Sequence, residues 1–226
     1  MEMNKINNLL ELFYYQFKDK IETDIFLESL REPKQKFSWS EVYVNILKVS
    51  KEISKYIKKG DRCLLISENR PEWMIADLSI MLSGGITVPA YTTYTERDYE
   101  YIIDDCKPSI IFVSDKTQYE KIKNIIPKKK FIKKIILFDV IDNSNDLDID
   151  IHEIFKSENY KNKNFLDLDI KRKDVACIIY TSGTQGNPKG VILSHGGILN
   201  NCEGSCNLLK PIISNQPTFL TWLPLS

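Results

Sequence analysis

The chain has 226 residues, enough to bury a sizeable core as one large domain or two small ones. Its 42% hydrophobic and 11% aromatic content is that of a folded globular protein, which sets disorder aside. Lysine plus arginine equals aspartate plus glutamate at 31 each, so the formal charge is zero and a dedicated nucleic-acid binder is disfavoured.

The elements alternate along the chain. Ile6, Leu9, Leu10, Phe13 and Phe17 recur at helical spacing and predict a first helix with one apolar face. In FSWSEVYVNILKVSKEISKYIKKG, Ser38 and Glu41 have capping-box spacing, Val42, Ile46, Val49 and Ile53 form the stripe, and Gly60 is the expected stop. RCLLIS (62–67) reads as a buried strand. Pro71 then opens a helix through WMIADLSIML to Gly84 and Gly85, and ITVPAY (86–91) is the next strand. Thr95 and Asp98 are placed to cap a helix over YEYIIDDC. SIIFVS (109–114), KTQYEKIKNII and KIILFDV (134–140) follow as strand, helix and strand.

Residues 141–173 change character, being rich in Asp, Asn and Lys with a short helical candidate near IHEIF. They read as a surface excursion between a first α/β subdomain, 1–140, and a second segment, 174–226. The lysines at 128–130, 133 and 134 read as a solvated edge. VACIIY (175–180) is a strand, VILSH (191–195) is strand-like, and GGILNNCEGSCNLLK is a helix weakened by Gly204. The apolar run TFLTWLPLS (218–226) reads as a further strand. This order predicts an α/β fold of layered, mostly parallel sheet with helices on both faces.

The five cysteines form no C-x-x-C pair, and Cys63 and Cys177 lie in apolar runs, so they read as reduced and the compartment as intracellular. Cys202 and Cys206 share a helical face, but no histidine pair lies near them to complete a metal site. The N-terminal stretch has the pattern of neither a signal peptide nor a membrane span. Attachment to a membrane surface stays open, since a short amphipathic helix would suffice.

The stretch most able to carry chemistry is TSGTQGNPKG (181–190). Gly183, Gly186 and Gly190 permit close backbone approach, so several N–H groups can face one anion. Thr181, Ser182 and Thr184 add hydroxyl donors, and Lys189 adds a charge. This is not a Walker loop, which needs its lysine followed by Ser or Thr at the opening of a helix. No G-x-G-x-x-G follows a first strand. The plain alternative is a glycine-rich hairpin that only turns the chain.

YTSGTQGNPKGVILSH resembles the phosphate-binding signature of the adenylate-forming synthetases, which include acyl-CoA synthetases, firefly luciferase and the adenylation domains of peptide synthetases. The family's usual form is YTSGTTGxPKG, and Gln185 departs from it. FSWSEVYVNILKVSKEI is also similar in pattern. ENRPEW, followed by a G-x-x-x-VP-x-Y-x-T run, looks most like the long-chain fatty acyl-CoA synthetase branch, and TWLPLS looks like the start of the family's next motif.

The resemblance implies ligation of a carboxylate to a thiol in two steps. The acid attacks ATP to give an acyl-adenylate and pyrophosphate, and coenzyme A then displaces AMP. It implies fatty acid, ATP with Mg2+, and CoA as ligands; the balanced charge gives no nucleic acid, and the reduced cysteines give a cytoplasmic location, with peripheral membrane contact left open. Thr181, Ser182, Gly183, Thr184, Gly186 and Lys189 would cradle the β- and γ-phosphates, with Thr184 near the magnesium. His195 would fix the strand-to-helix turn rather than act as a base. His152 has no assigned role. Tyr91, Thr92, Thr93 and Trp222 are expected to be structural. The family's adenine-contacting aromatic-Gly-x-[TS]-Glu segment, its ribose-binding aspartate and its C-terminal lysine have no counterpart here. The expectation is therefore the incomplete N-terminal part of the AMP-binding domain, with the rest after Ser226 and no complete catalytic set in this chain. Another adenylate-forming branch (aryl, amino or short-chain acids), a non-catalytic remnant and a binding half remain open alternatives.

Overall fold

The computed structural model describes residues 5–32, 34–142, 145–158, 160, 165–166, 168–181, 188–212 and 218–221. Helix α1 (Leu9–Phe17) precedes a short antiparallel hairpin of β1 (Ile25–Glu28) and β2 (Lys36–Ser38). Then come α2 (Trp39–Ile53), β3 (Arg62–Ile66), α3 (Pro71–Leu82), β4 (Ile86–Ala90), α4 (Glu96–Cys106), β5 (Ile110–Val113), α5 (Lys116–Ile122) and β6 (Lys134–Leu137). The chain continues with β7 (Asp148–Asp150), α6 (Ile151–Lys156), β8 (Val175–Thr181), β9 (Lys189–Ser194) and α7 (His195–Leu209).

The main sheet has seven strands in the order β7-β6-β5-β3-β4-β8-β9. Every neighbouring pair is parallel except β8 and β9, which form an antiparallel edge. The alternation of side chains sorts the core into two faces. Cys63, Leu65, Ile110, Phe112 and Ile136 meet α1, α2, α3 and α6 on one side. Leu64, Ile66, Ile111, Val113, Ile135 and Leu137 meet α4 and α5 on the other. Burial on both faces explains why these strands read as continuous apolar runs.

Local chemistry sets the helix ends. Ser38 with Glu41, and Thr95 with Asp98, each form a reciprocal capping box. Pro71 occupies the first turn of α3, where its missing N–H costs nothing. After α3 the chain needs a left-handed residue, and Gly84 supplies it at φ 80°.

Several sequence expectations are corrected. Helix α2 ends at Ile53, not at Gly60, because i to i+3 bonds from Lys55 to Glu52 and from Tyr56 to Ile53 tighten the chain into turns. Helix α5 ends at Ile122, and the 3-10 turn Ile126–Lys128 takes up Pro127. Residues 141–173 are more than surface. Strand β7 pairs with β6, and Phe165 is 0% exposed in the core. Residues 218–221 form no strand, since a strand needs a paired neighbour, and Phe219 and Leu220 are exposed. The rest of the expected strand, residues 222–226 with Trp222, lies outside the described residues. One sheet runs through both 1–140 and 174–226, joined by the β4–β8 pairing at Thr87 and Cys177.

Candidate functional site

All the parallel strands end on one edge of the sheet, and ligand sites in open α/β sheets form outside these carboxyl ends. Strand β4 leads there into residues 91–95 and strand β8 leads into 182–188. Strand β9 returns antiparallel, with Thr181 opposite Lys189 and Tyr180 opposite Gly190. The register therefore brings together the two ends of the sequence-predicted loop. Cross-strand partners share a face, so the Thr181 hydroxyl and the Lys189 ammonium stand on the same side of the hairpin, both exposed. Ser182, Gly183, Thr184 and Gly186, with Gln185, lie outside the described residues.

The strand expected over 191–195 begins two residues earlier, at Lys189. Pro188 and the register with β8 fix the lysine's backbone, and only its side chain is free to follow a ligand. Gly190 has a steric cause. A Cβ there would lie 2.9 Å from Ile178 Cγ2 and 3.4 Å from Tyr180 Cζ, so the neighbouring strand leaves no room for a side chain.

Tyr180 and Ile178 face α4 and α5. Tyr180 is 2% exposed, its phenol donates to the Asp105 carboxylate on α4, and its carbonyl accepts from the Tyr94 hydroxyl at 3.3 Å. Burial, then the bond to Asp105, pushes the phenol far above its ordinary range, so it stays protonated. Nothing in the sequence singled out Asp105 or Tyr94. Tyr91, Thr92 and Thr93, expected at the end of a strand, follow β4 on the same edge. The Tyr91 carbonyl accepts from Tyr99 at 2.8 Å and that of Thr92 from Lys121 at 2.7 Å.

His195 is at the other end of the hairpin. Six residues of extended strand separate it from Lys189, about 20 Å. It opens α7 behind the N-cap Ser194, is 2% exposed, and its Nδ1 accepts from the Leu9 N–H at 3.4 Å. The ring proton is therefore on Nε2. Burial holds the imidazole below its ordinary range, against the opposing pull of Asp174. A base at this distance cannot serve chemistry at Lys189 or at Thr181 opposite it.

The buried thiols are inert. Burial pushes Cys177 up to about 11 and Cys106 up to about 12, so both act as small apolar fillers. His152 lies 3.9 Å from Glu72, whose buried carboxylate is held by Arg70 at 2.8 Å. Among the described residues no group of three His, Cys, Asp or Glu side chains is placed to hold a metal ion. Among them, too, no helix is long and apolar enough to cross a membrane.

The arrangement is a rigid antiparallel base with a cation and a hydroxyl side by side, supporting a glycine-rich segment at the carboxyl edge of a parallel sheet. Such a base suits a polyanion. The family description "AMP-binding enzyme" matches residues 15–226. Long chain acyl-CoA synthetase 3 of Arabidopsis thaliana is 30% identical over 199 residues, covering 84% of this chain and 30% of that protein. The human long-chain-fatty-acid–CoA ligase ACSBG1 is 28% identical over 221 residues, covering 94% of this chain and 30% of its own length. A putative long-chain-fatty-acid CoA ligase from Rhodopseudomonas palustris CGA009 shares the fold with a TM-score of 0.77 at 17% identity, over 96% of this chain and 51% of that one. An anthranilate CoA ligase solved with anthranoyl-AMP superposes with a TM-score of 0.72 at 17% identity, over 86% of this chain and 36% of that one. The chain thus spans about 30% of the length of the curated relatives it matches.

Proposed function

The chain belongs to the AMP-binding enzyme family, and from that premise we propose that it is the phosphate-binding part of an ATP-dependent long-chain fatty acid–CoA ligase. The observation that carries this reading is the Thr181–Lys189 rung, which puts a hydroxyl and an ammonium at the base of a glycine-rich segment. The curated relatives, named as long-chain acyl-CoA synthetases, favour a fatty acid as the carboxylate.

In the first step the carboxylate attacks the α-phosphorus of ATP, and pyrophosphate leaves. Acid and triphosphate are both anions, so they must be neutralised and aligned before they meet. Lys189 supplies mobile positive charge to the β- and γ-phosphates as they depart, and Thr181 donates a hydroxyl hydrogen bond beside it. Ser182, Gly183, Thr184 and Gly186 complete the cradle in this reading. Magnesium is part of the substrate, carried by phosphate oxygens with few protein contacts, and Thr184 is the hydroxyl assigned nearest to it. In the second step CoA displaces AMP, using groups of the longer protein. Residues 1–140, 141–173 and 174–226 are then parts of one large domain. Exposed Val191, Ile192, Leu208 and Ile212 on β9 and around α7 suit cover by further chain. The reading includes a cytoplasmic location, with reduced cysteines.

The test is pyrophosphate release from ATP by the complete protein with a panel of long-chain, short-chain, aryl and amino acids. The expected result is release that depends on long-chain acids and yields an acyl-CoA when CoA is added. Release driven by aryl or amino acids moves the protein to another branch. No release with any acid removes the ligase reading.

A further inference from the structure

Tyr180 immediately precedes the hydroxyl-rich segment, and three independent contacts fix it. Its phenol donates to Asp105, its carbonyl accepts from Tyr94, and its ring faces Gly190, where an added Cβ would lie 3.4 Å from Cζ and 3.6 Å from Cε1. The support continues outward. Tyr94 stands edge-on to Tyr91 at 5.4 Å and to Tyr99 at 6.0 Å. Tyr99 and Lys121 in turn hold the carbonyls of Tyr91 and Thr92. A continuous set of contacts therefore runs from α4 and α5 to the base of the hairpin.

Asp105 is in an unfavourable place for an acid. It is in the last turn of α4, at the negative end of the helix dipole, and no basic residue lies within that turn itself. Its neighbour Asp104 is paired with Lys129, whereas Asp105 takes the Tyr180 phenol. The carboxylate is exposed, so packing does not require it. Its bond to a protonated, buried phenol offsets part of the dipole cost, alongside Arg62, whose Nε donates to the Cys106 carbonyl at 2.7 Å.

We propose that Asp105 and Tyr94 are positioning residues for the phosphate-binding segment, acting through Tyr180 to hold the hairpin base so that Thr181 and Lys189 keep one register. The functional part of this proposal rests on the ligase reading above; the mechanical part does not. A tyrosine that only filled space would need its ring, and would be indifferent to its hydroxyl and to an exposed acid on α4.

The experiment is amide hydrogen exchange of peptides spanning 178–191 in the full chain, for wild type, Tyr180→Phe and Asp105→Ala, alongside thermal melts and ATP titration. Asp105→Ala relieves an adverse helix-end charge and improves helix propensity while leaving the Tyr180 phenol without its acceptor, so the opposing effects should keep its melting temperature within a few degrees of wild type. Exchange at 181–190 should nonetheless quicken by about tenfold, the weight of one charge-assisted hydrogen bond. Tyr180→Phe should match it, the double variant should add little, and Asp105→Asn should fall between. ATP affinity should fall several-fold in both single variants. Unchanged exchange at 181–190 in Asp105→Ala overturns the proposal, as does faster exchange with unaltered ATP affinity. A wild-type protein that binds no ATP removes the ligase reading instead, and the exchange data still report whether the contacts hold the hairpin.

Discussion

Replacing Gly190 with alanine tests the hairpin geometry at its tightest point. The new Cβ would stand 2.9 Å from Ile178 Cγ2. Ordinary carbon contacts are about 3.5–4.0 Å, so the pair is roughly 0.6 Å too close. Ile178 cannot swing away cheaply, because it is β-branched and stiff at χ1. Tyr180, the second obstacle, is tied to Asp105. Overpacking of this kind costs about 1–3 kcal/mol, and the entropy lost by the unfolded chain returns about 0.4–1 kcal/mol. Strand β9 is at the sheet edge and can shift, which favours the lower half of the range. The net expectation is a destabilisation of about 0.8 kcal/mol, or roughly 2–3 °C in Tm for a chain of this size. A double-mutant cycle with Ile178→Ala isolates the cause, since removing Cγ2 should erase most of the alanine penalty. A Gly190→Ala chain that melts with wild type, or a penalty that persists in full without Ile178's methyl, refutes the steric account.

Other expectations follow from the same geometry. Lys189→Ala should leave the melt unchanged, because the side chain is exposed, yet slow pyrophosphate formation in the complete protein by about ten- to a hundredfold, the loss of one contact to a charged group; an unchanged rate removes its assigned role. His195 titrates below its ordinary value in the folded chain, so the unfolded chain binds the proton first. Its stability contribution is therefore complete above about pH 6.5 and is lost as pH falls toward the folded value, by at most about 1.4 kcal/mol per pH unit. Urea midpoints between pH 7.5 and 5.5 should fall more steeply for wild type than for His195→Gln, and equal slopes would contradict a buried neutral imidazole. Phe165→Ala should cost about 3–5 kcal/mol in chemical denaturation, as a core aromatic does, because its ring is 0% exposed and stacks with Tyr43 at 5.1 Å; a cost near zero would return residues 141–173 to the surface.

The parallel core was legible because physics writes it twice. CLLI (63–66) and IIFV (110–113) are apolar throughout since both faces are covered, and Pro71, Ser38 and Thr95 mark helix starts by what their backbones and side chains can do. What escaped was pairing. The hairpin Ile25–Glu28 with Lys36–Ser38 exposes much of its apolar surface and so carries little pattern. Strand β7 had a signal, the alternation of Leu147, Ile149 and Ile151 with aspartates, but the surrounding polar composition masked it. The site divides in the same way. Residue types announced an anion loop, whereas the opposition of Thr181 and Lys189 depends on an antiparallel register that composition does not encode. The distance from Lys189 to His195 is set by the length of β9, and Asp105 reaches Tyr180 across 75 residues of sequence with no local motif to mark it.

The central claim is that Lys189 meets the phosphates of ATP. The most direct measurement is the acetylation rate of Lys189 by an amine-reactive reagent in the complete protein, read by mass spectrometry with magnesium and ATP, with adenosine, and with neither. Lys128 and Lys130, on the opposite edge of the sheet beside the start of β6, serve as internal controls. The account predicts that ATP protects Lys189 selectively and that adenosine does not. Equal labelling of Lys189 under all three conditions, in protein that still consumes ATP, would put the phosphates elsewhere and contradict it.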